Sequence, residues 1–274
     1  MYTEYQPSHL LVPYIDSYWE FKGNPDYGMR IHILPDGCTD FIFTLGEVAN
    51  AVEEGSLIMQ PYRSYFVGPM TKYSELVTYT ESIHMFGVRF LPCGLSCFTN
   101  LPLHEFVNSR VSTNEMKAVF DDTFIEKLGE QKHVTDRIRV VEEYLLAYLA
   151  RHYQPADSHV AMAVNMINHS KGKRSVRSLM DDVCLCQRHF ERKVKHYTGF
   201  TPKEYSRIVK FKNAVELLRT TTSANLLTTA VDAGYYDLAH FSKEIKSMSG
   251  NTPASFLSLT VPEETTLTYI EPQR

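Results

Sequence analysis

The sequence predicts an α+β protein with a β-rich, barrel-like N-terminal domain, a helical connector, and an all-α domain in which a long helix joins two helix-turn-helix units. Three observations carry this prediction. Before residue 92, apolar residues alternate with a period of two, which is typical of strands. After it they recur three and four residues apart, which is typical of helices. Finally, a stretch of 22 residues recurs in similar form 51 positions later.

The N-terminal domain, residues 1–112, is predicted from short strand patterns that follow one another closely. LLVPYIDSYWEFKG predicts a first strand, and MRIHILPDGCTDFIFTLGE predicts two strands on either side of the turn sequence Pro35-Asp36-Gly37. Short strands at this spacing are typical of a barrel or a sandwich. Further strands are predicted at Gly55–Gln60, Ser64–Pro69, Ser74–Thr80 and Ile83–Leu91.

Residues 113–156 are predicted to form the helical connector, after a first helical pattern, GLSCFTNLPLHEFV, at its N-terminal side. Glu115–Leu128 and Asp136–His152 both have apolar residues at helical spacing. The second helix carries one apolar stripe, which predicts packing against the chain's own β domain. The domain boundary is placed at residues 154–157, since Pro155 ends a helix and Asp157 can cap the next.

The repeated stretch runs from Cys186 to Arg207 and again from Asp237 to Ser258. Each copy predicts a helix, a glycine stop and the start of a new helix. Apolar residues fall at i, i+4 and i+7 in both copies, so one face of each helix is predicted to pack inward. The recurring pairs are His189 and His240, Phe190 and Phe241, Lys195 and Lys246, Gly199 and Gly250, Thr201 and Thr252, and Pro202 and Pro253.

A second short helical pattern precedes each copy, starting at Ser175 and at Ser223. A short helix, a tight turn and an exposed helix form the layout of a helix-turn-helix, whose second helix lies in the major groove of DNA. The segment from Pro202 to Arg219 predicts one long helix between the two units. If that helix is rigid, it places two reading helices in successive major grooves, roughly 34 Å apart.

Composition and charge separate the two halves of the chain. Residues 157–259 hold 15 Lys and Arg against 9 Asp and Glu, a net charge of +6, whereas the remainder has a net charge of −10. A basic module beside an acidic one fits a phosphate-binding half joined to a half with another task. No stretch of 18 apolar residues and no basic-then-apolar leader is present, which predicts a soluble, cytoplasmic protein without a membrane partner.

The five cysteines do not predict a metal or redox site. Their number is odd, and they form neither a CxxC pair nor a zinc pattern with histidine. The small, buried thiol is the more frequent role for such residues. We expect no metal and no cofactor. Cys38, Cys93, Cys97, Cys184 and Cys186 are the residues concerned.

The segment from about Asp157 to Leu259 resembles the DNA-binding domain of AraC/XylS-type transcription regulators, on the string GYYDLAHFSKEIKSMSGNTP and its first copy. The resemblance implies a DNA-binding domain at 157–259 followed by a tail at 260–274, and double-stranded operator DNA and RNA polymerase as partners. It also implies that the helical connector can mediate dimerisation, as an alternative to packing on the β domain. Activation is the commoner mode of such regulators. The residues that it places toward DNA are Arg188, Glu191, Arg192, Lys195, Leu238, Ala239, Ser242, Lys243 and Lys246.

The N-terminal segment also resembles a domain found in one branch of AraC-type regulators, through LPDGCTDFIFTLG, VGPMT and FGVRFLPCGL. That resemblance implies a domain that senses a small-molecule effector or assembles a homodimer. Charged residues inside the strongest strand patterns are the candidates for effector binding. They either bind a polar effector or pair with one another to specify the barrel. They are Asp36, Asp40, His84 and Arg89.

Two other classes of function are weighed against a regulator. An enzyme would need a phosphate-cradling glycine loop, a nucleophile elbow or a metal-binding HExxH motif, and the sequence has none of these. We therefore expect no catalysis. A DNA-binding protein whose front half only dimerises remains open. A cavity in the β domain would favour an effector, and a filled interior would favour dimerisation alone.

Overall fold

The computed structural model describes residues 2–51, 57–116, 119–120, 122–152, 154–220, 226–258 and 268–271. Strands dominate these residues up to 112, and helices dominate from 122 to 258. The strands are β1 (Tyr2–Tyr5), β2 (Ile15–Gly23), β3 (Met29–Ile33), β4 (Thr39–Thr44), β5 (Asn50–Ala51), β6 (Ser64–Val67), β7 (Ser74–Thr78), β8 (Ile83–Phe90), β9 (Arg110–Ser112) and β10 (Thr268–Glu271). The helices are α1 (Asp122–Gly129), α2 (Val134–His152), α3 (Ser158–His169), α4 (Val176–Val183), α5 (Gln187–Thr198), α6 (Pro202–Thr220), α7 (Leu226–Asp232), α8 (Leu238–Ser249) and α9 (Pro253–Ser258).

The strands form two antiparallel sheets. The larger has the order β1-β2-β8-β4-β6-β9 and the smaller the order β10-β3-β7-β5. Strand β10 follows the helical domain in sequence, yet its backbone pairs antiparallel with β3, Thr268 opposite Ile33 and Glu271 opposite Arg30. The predicted tail at 260–274 therefore contributes a strand to the N-terminal domain; its other residues lie outside the described ones.

The larger sheet is covered on both faces, which explains why β4 and β8 are buried along almost their whole length. Phe41 and Phe43 of β4 face a core shared with α1 and α2. Ile42, between them, faces the second core, which fills the space between the two sheets. Because side chains alternate along a strand, each central strand supplies both cores at once. The N-terminal domain is thus a layered sandwich of helices, large sheet and small sheet.

Helix α2 packs on the β domain of its own chain, one of the two arrangements predicted for it. Val141 and Leu145 are fully buried in the core beneath the larger sheet. Arg137 is buried too, and its guanidinium donates to the carbonyls of Leu128 and Gln131 and to the carboxylate of Glu20 at 2.9 Å. A buried arginine with all three partners fixes the connector to the sheet.

Three predicted elements differ from the structure. The strand predicted at Gly55–Gln60 is not formed in its described part, residues 57–60, and residues 55–56 lie outside the description. The helix predicted at 94–107 is reduced to single 3-10 turns at Leu95–Cys97 and Leu103–Glu105. Pro102 explains the break, since proline disfavours helical backbone at the residue before it. The helix predicted at Glu115–Leu128 starts at Asp122, with residues 117, 118 and 121 outside the description.

The helical domain is built around α6, which has buried residues on all sides. The apolar faces of α5 and α8 pack into the core around α6. Leu34 and Cys93 of the N-terminal domain belong to the same core, so the two domains share an apolar interface. Across it, the Tyr205 ring lies so close to Gly37 that an added Cβ would come within 2.8 Å of the ring. Among the described residues no helix is long and apolar enough to span a membrane.

Candidate nucleic-acid interface

Helix α5 has an apolar inner face and a cationic outer face. Phe190 and Val194 are fully buried against α6, while Arg188 and Arg192 are exposed. Glu191 is half-buried and accepts a hydrogen bond at 2.9 Å from the Gln187 side chain. The two arginines therefore project to solvent from one side of the helix.

Helix α8 repeats this arrangement. Phe241, Ile245 and Met248 are buried, and Lys243 and Lys246 are exposed on the opposite side. The outer face of α8 is less charged than that of α5, since Leu238 and Ala239 stand at its start and are exposed as well. Of the nine side chains predicted to face DNA, seven are exposed, and Glu191 and Ser242 are half-buried.

The two helices begin differently. Asp237 caps α8, since its carboxylate accepts from the backbone N–H of His240 at 2.7 Å. Cys186 occupies the equivalent N-cap of α5 and forms no capping hydrogen bond with its side chain. His240 is exposed and lies beside Tyr235, with ring centroids 5.4 Å apart. The N-terminal amides of α5 thus lack the side-chain acceptor that α8 has.

The two helices end alike. Gly199 and Gly250 close α5 and α8 with φ of 84° and 76°, the left-handed conformation that glycine adopts without strain. The preceding residues, Thr198 and Ser249, are buried and bond their hydroxyls to carbonyls one turn back, at 2.7 Å in both copies. Thr198 and Ser249 occupy equivalent positions of the repeat and are not among the pairs named from the sequence.

Lys173, before α4, and Lys210, on α6, both donate to carbonyls at the end of α7. The Lys173 ammonium donates to the carbonyl of Asp232, at the end of α7, at 2.7 Å. Lys210 of α6 donates to the carbonyl of Gly234 at 3.2 Å. Both cations complement the carbonyl end of α7. Part of the positive charge of this domain therefore serves its internal structure.

Tyr236 stands in the turn before α8 and is 93% exposed. Leu227 and Val231 of α7 are also exposed, at 51% and 59%. Sequence reasoning assigned none of the three a role. The signal in the sequence was that Tyr236 lies outside the inward stripe of α8, which is formed by Phe241, Ile245 and Met248.

Three of the four predicted effector residues come together in the N-terminal domain. The Arg89 guanidinium lies 3.3 Å from Asp40, 3.5 Å from Asp36 and 3.3 Å from Glu4. Asp40 also accepts from the Trp19 indole at 2.7 Å. Burial raises the pKa of Asp40 to about 6, against the opposing effect of Arg89. Arg89 is therefore neutralised by carboxylates of its own chain.

His84 is the exception. It is five residues from Arg89 on β8, and an odd separation places two residues on opposite faces of a strand. Its ring lies 2.9 Å from Glu20, which is also the partner of Arg137. The structure therefore places His84 with the connector and not with the Arg89 cluster.

A small recess lies between the two sheets beside this cluster. Its volume is about 50 Å³, and its walls are mainly apolar, with Asp40, Arg89 and Arg110 among the lining residues. Ligand pockets usually measure about 300–1,000 Å³. The recess that the described residues form is therefore smaller than an ordinary ligand pocket.

The fold and the exposed cationic helices define a helix-turn-helix protein with an added β domain. A helix-turn-helix domain family matches residues 179–258, and a domain of unknown function (DUF6597) matches residues 3–112. No curated protein matches the chain. The chain therefore carries an AraC-type helix-turn-helix domain behind a DUF6597 domain.

Solved structures share this architecture. ToxT from Vibrio cholerae is 11% identical, with a TM-score of 0.52, and the match covers 89% of this chain and 100% of that one. ToxT bound to (E)-4-(8-methylnaphthalen-1-yl)but-3-enoic acid is 10% identical, with a TM-score of 0.50 over 89% and 99% of the chains. At this identity the likeness concerns the fold.

Proposed function

We propose that this chain is a DNA-binding transcription regulator of the AraC type. It recognises a two-part operator by placing α5 and α8 in major grooves on one side of the duplex, and its N-terminal domain controls this binding. Arg188 and Arg192 read base edges from α5, with Lys195 toward phosphate. Lys243 has the corresponding position on α8. The observation that carries the proposal is the pair of equivalent helices, each buried along one face and cationic along the other.

Arginine suits this role because its guanidinium can bind guanine through two hydrogen bonds, each good pair contributing ~1–3 kcal/mol of discrimination. Leu238 and Ala239 offer apolar contact with thymine methyl groups. The two units then differ in what they recognise: hydrogen bonds dominate in the first, and apolar contact with a few cations dominates in the second.

The test begins with duplexes that the wild-type chain selects from a random pool. We expect Arg192→Ala to weaken binding about 5- to 150-fold and to relax the preference at one base pair. Arg139→Ala, an exposed arginine on α2, is the matched control and should bind as wild type. An equal loss on selected and unselected duplexes would assign Arg192 to phosphate instead. If no sequence is selected at all, the proposed function fails.

Control through the N-terminal domain is the second part of the proposal. An effector of ordinary size exceeds the recess of about 50 Å³, so side chains of its wall have to move for it to bind. Met70 and Met85 lie in that wall, and methionine side chains are flexible. The paired state of Arg89 favours a structural role for that cluster. Sedimentation of the free chain and of its DNA complex distinguishes control by homodimer formation from control within one chain.

A further inference from the structure

One loop of the N-terminal domain contacts the C-terminal ends of α5 and α8, the two helices proposed to bind DNA. We name residues 68–73, between β6 and β7, the bracing loop. A Cβ added to Gly199, at the end of α5, would lie 2.6 Å from the Pro69 ring. A Cβ added to Gly250, at the end of α8, would lie 2.7 Å from the Tyr73 ring. Contacts this close require glycine for space as well as for conformation.

A hydrogen bond fixes the second contact. The backbone N–H of Tyr73 donates at 2.9 Å to the carbonyl of Met248, in the last turn of α8. The final carbonyls of a helix lack partners within the helix. The bracing loop supplies one, so α8 ends on the N-terminal domain.

The loop is itself held firmly. The Thr71 N–H donates at 2.8 Å to the Asn108 side chain, and the Asn108 N–H donates at 2.9 Å to the Pro69 carbonyl. The Tyr73 ring stacks on His32 with an interplanar angle of 8° and a centroid distance of 5.8 Å. The contact points at Pro69 and Tyr73 therefore have a fixed separation.

We propose that Pro69 and Tyr73 are positioning residues for DNA recognition: they set the placement of α8 relative to α5, and with it the spacing of the two half-sites. Helix α6 joins the units from inside the helical domain, and the bracing loop joins them from outside. Met70, between the two contact residues, also lines the recess between the sheets. The loop thus connects the interior of the N-terminal domain to both reading helices. The inference rests on the proposed operator binding.

The experiment uses the full chain and duplexes selected by the wild type, with the original spacing or with two base pairs added between the half-sites. We expect Tyr73→Ala to reduce the discrimination between these spacings about tenfold, while affinity for a duplex with one half-site stays unchanged. Tyr73→Phe keeps the ring and should behave as wild type. Tyr79→Ala removes an exposed tyrosine of the same domain and is the matched control.

Each outcome bears on the proposal. Wild-type discrimination in Tyr73→Ala, with the wild-type circular dichroism spectrum, overturns it while leaving operator binding intact. Equal weakening on one-site and two-site duplexes also overturns it, because a general loss of structure would act on both. If Tyr73→Ala does not fold, hydrogen exchange in the wild-type DNA complex decides. A slowly exchanging Tyr73 amide supports the brace, and fast exchange contradicts it.

Discussion

At the scale of single residues, Cys186 leaves the N-terminus of α5 without a capping hydrogen bond from a side chain. Its backbone has the extended conformation of an N-cap, yet its side chain accepts no hydrogen bond. Serine prefers this position because its hydroxyl accepts from an N–H of the first turn.

We therefore expect Cys186→Ser to raise the free energy of unfolding by about 1 kcal/mol, measured by urea denaturation. Cys184→Ser is the control, since Cys184 follows α4 in a left-handed conformation and has no free helical amides to cap. Equal effects of the two substitutions would contradict this explanation.

Asp40 predicts a pH dependence. Its pKa is raised to about 6 from the ordinary value of 3.8, mainly by burial. The folded chain then holds a proton that the unfolded chain releases between these values, so the free energy of unfolding should fall as pH rises from about 4 to about 6. In Asp40→Asn this component should be absent. Asp26→Asn, at an exposed carboxyl group, controls for the change in net charge. Denaturant titrations across this range provide the measurement, and equal pH slopes in wild type and Asp40→Asn would contradict it.

Residue-level prediction from the sequence was strongest where local chemistry decides. Asp157 caps α3, and Thr201 with Glu204 forms the capping box of α6, because these motifs need only nearby atoms. The placement of His84 away from Arg89 follows from strand parity, which the sequence also contains. The ion pair between Arg89 and Glu4 depends on the pairing of β1 with β2, which no short sequence pattern specifies.

At the scale of elements, the two glycine caps occupy equivalent positions of the repeat, so the same substitution can be tested at both. Gly199→Ala and Gly250→Ala should each lower the free energy of unfolding by roughly 1–2 kcal/mol, since alanine is strained in the left-handed region. Contact with the bracing loop adds to that cost. Gly129→Ala has open space around the new methyl group and should be nearly neutral. Calorimetry on the three variants measures the difference; a cost at Gly129 like that at the caps would refute the explanation.

The helices of the repeat followed from periodicity because each has one buried face and one exposed face. Helix α6 followed from the same helical spacing, which Ile208, Phe211 and Val215 show, although the structure buries residues on more than one of its sides. Strand β9 and the 3-10 turns near residues 95 and 103 escaped prediction, since they are too short for a period to be read.

At the scale of the whole molecule, the shared core predicts that the domains unfold together. Trp19 is the sole tryptophan and is buried in the β domain, whereas helical circular dichroism reports mainly on the C-terminal half. We expect their thermal transitions to coincide. Leu34→Ala should lower both midpoints and cost roughly 2–5 kcal/mol, although Leu34 belongs to the β domain. Leu11→Ala, which is equally buried but lies in the core between the larger sheet and α1 and α2, is the comparison. Separate transitions in the wild type would show that the domains are independent.

The bracing loop touches the tips of α5 and α8, while the side chains offered to DNA line their flanks. Substitutions on the flanks can therefore change the base preference during evolution without changing the distance between the two units, because the tips and the flanks consist of different residues. Selections for altered operator sequence should recover changes on the flanks. Selections for altered operator length should recover changes at Pro69, Tyr73 and the two glycines that they cover.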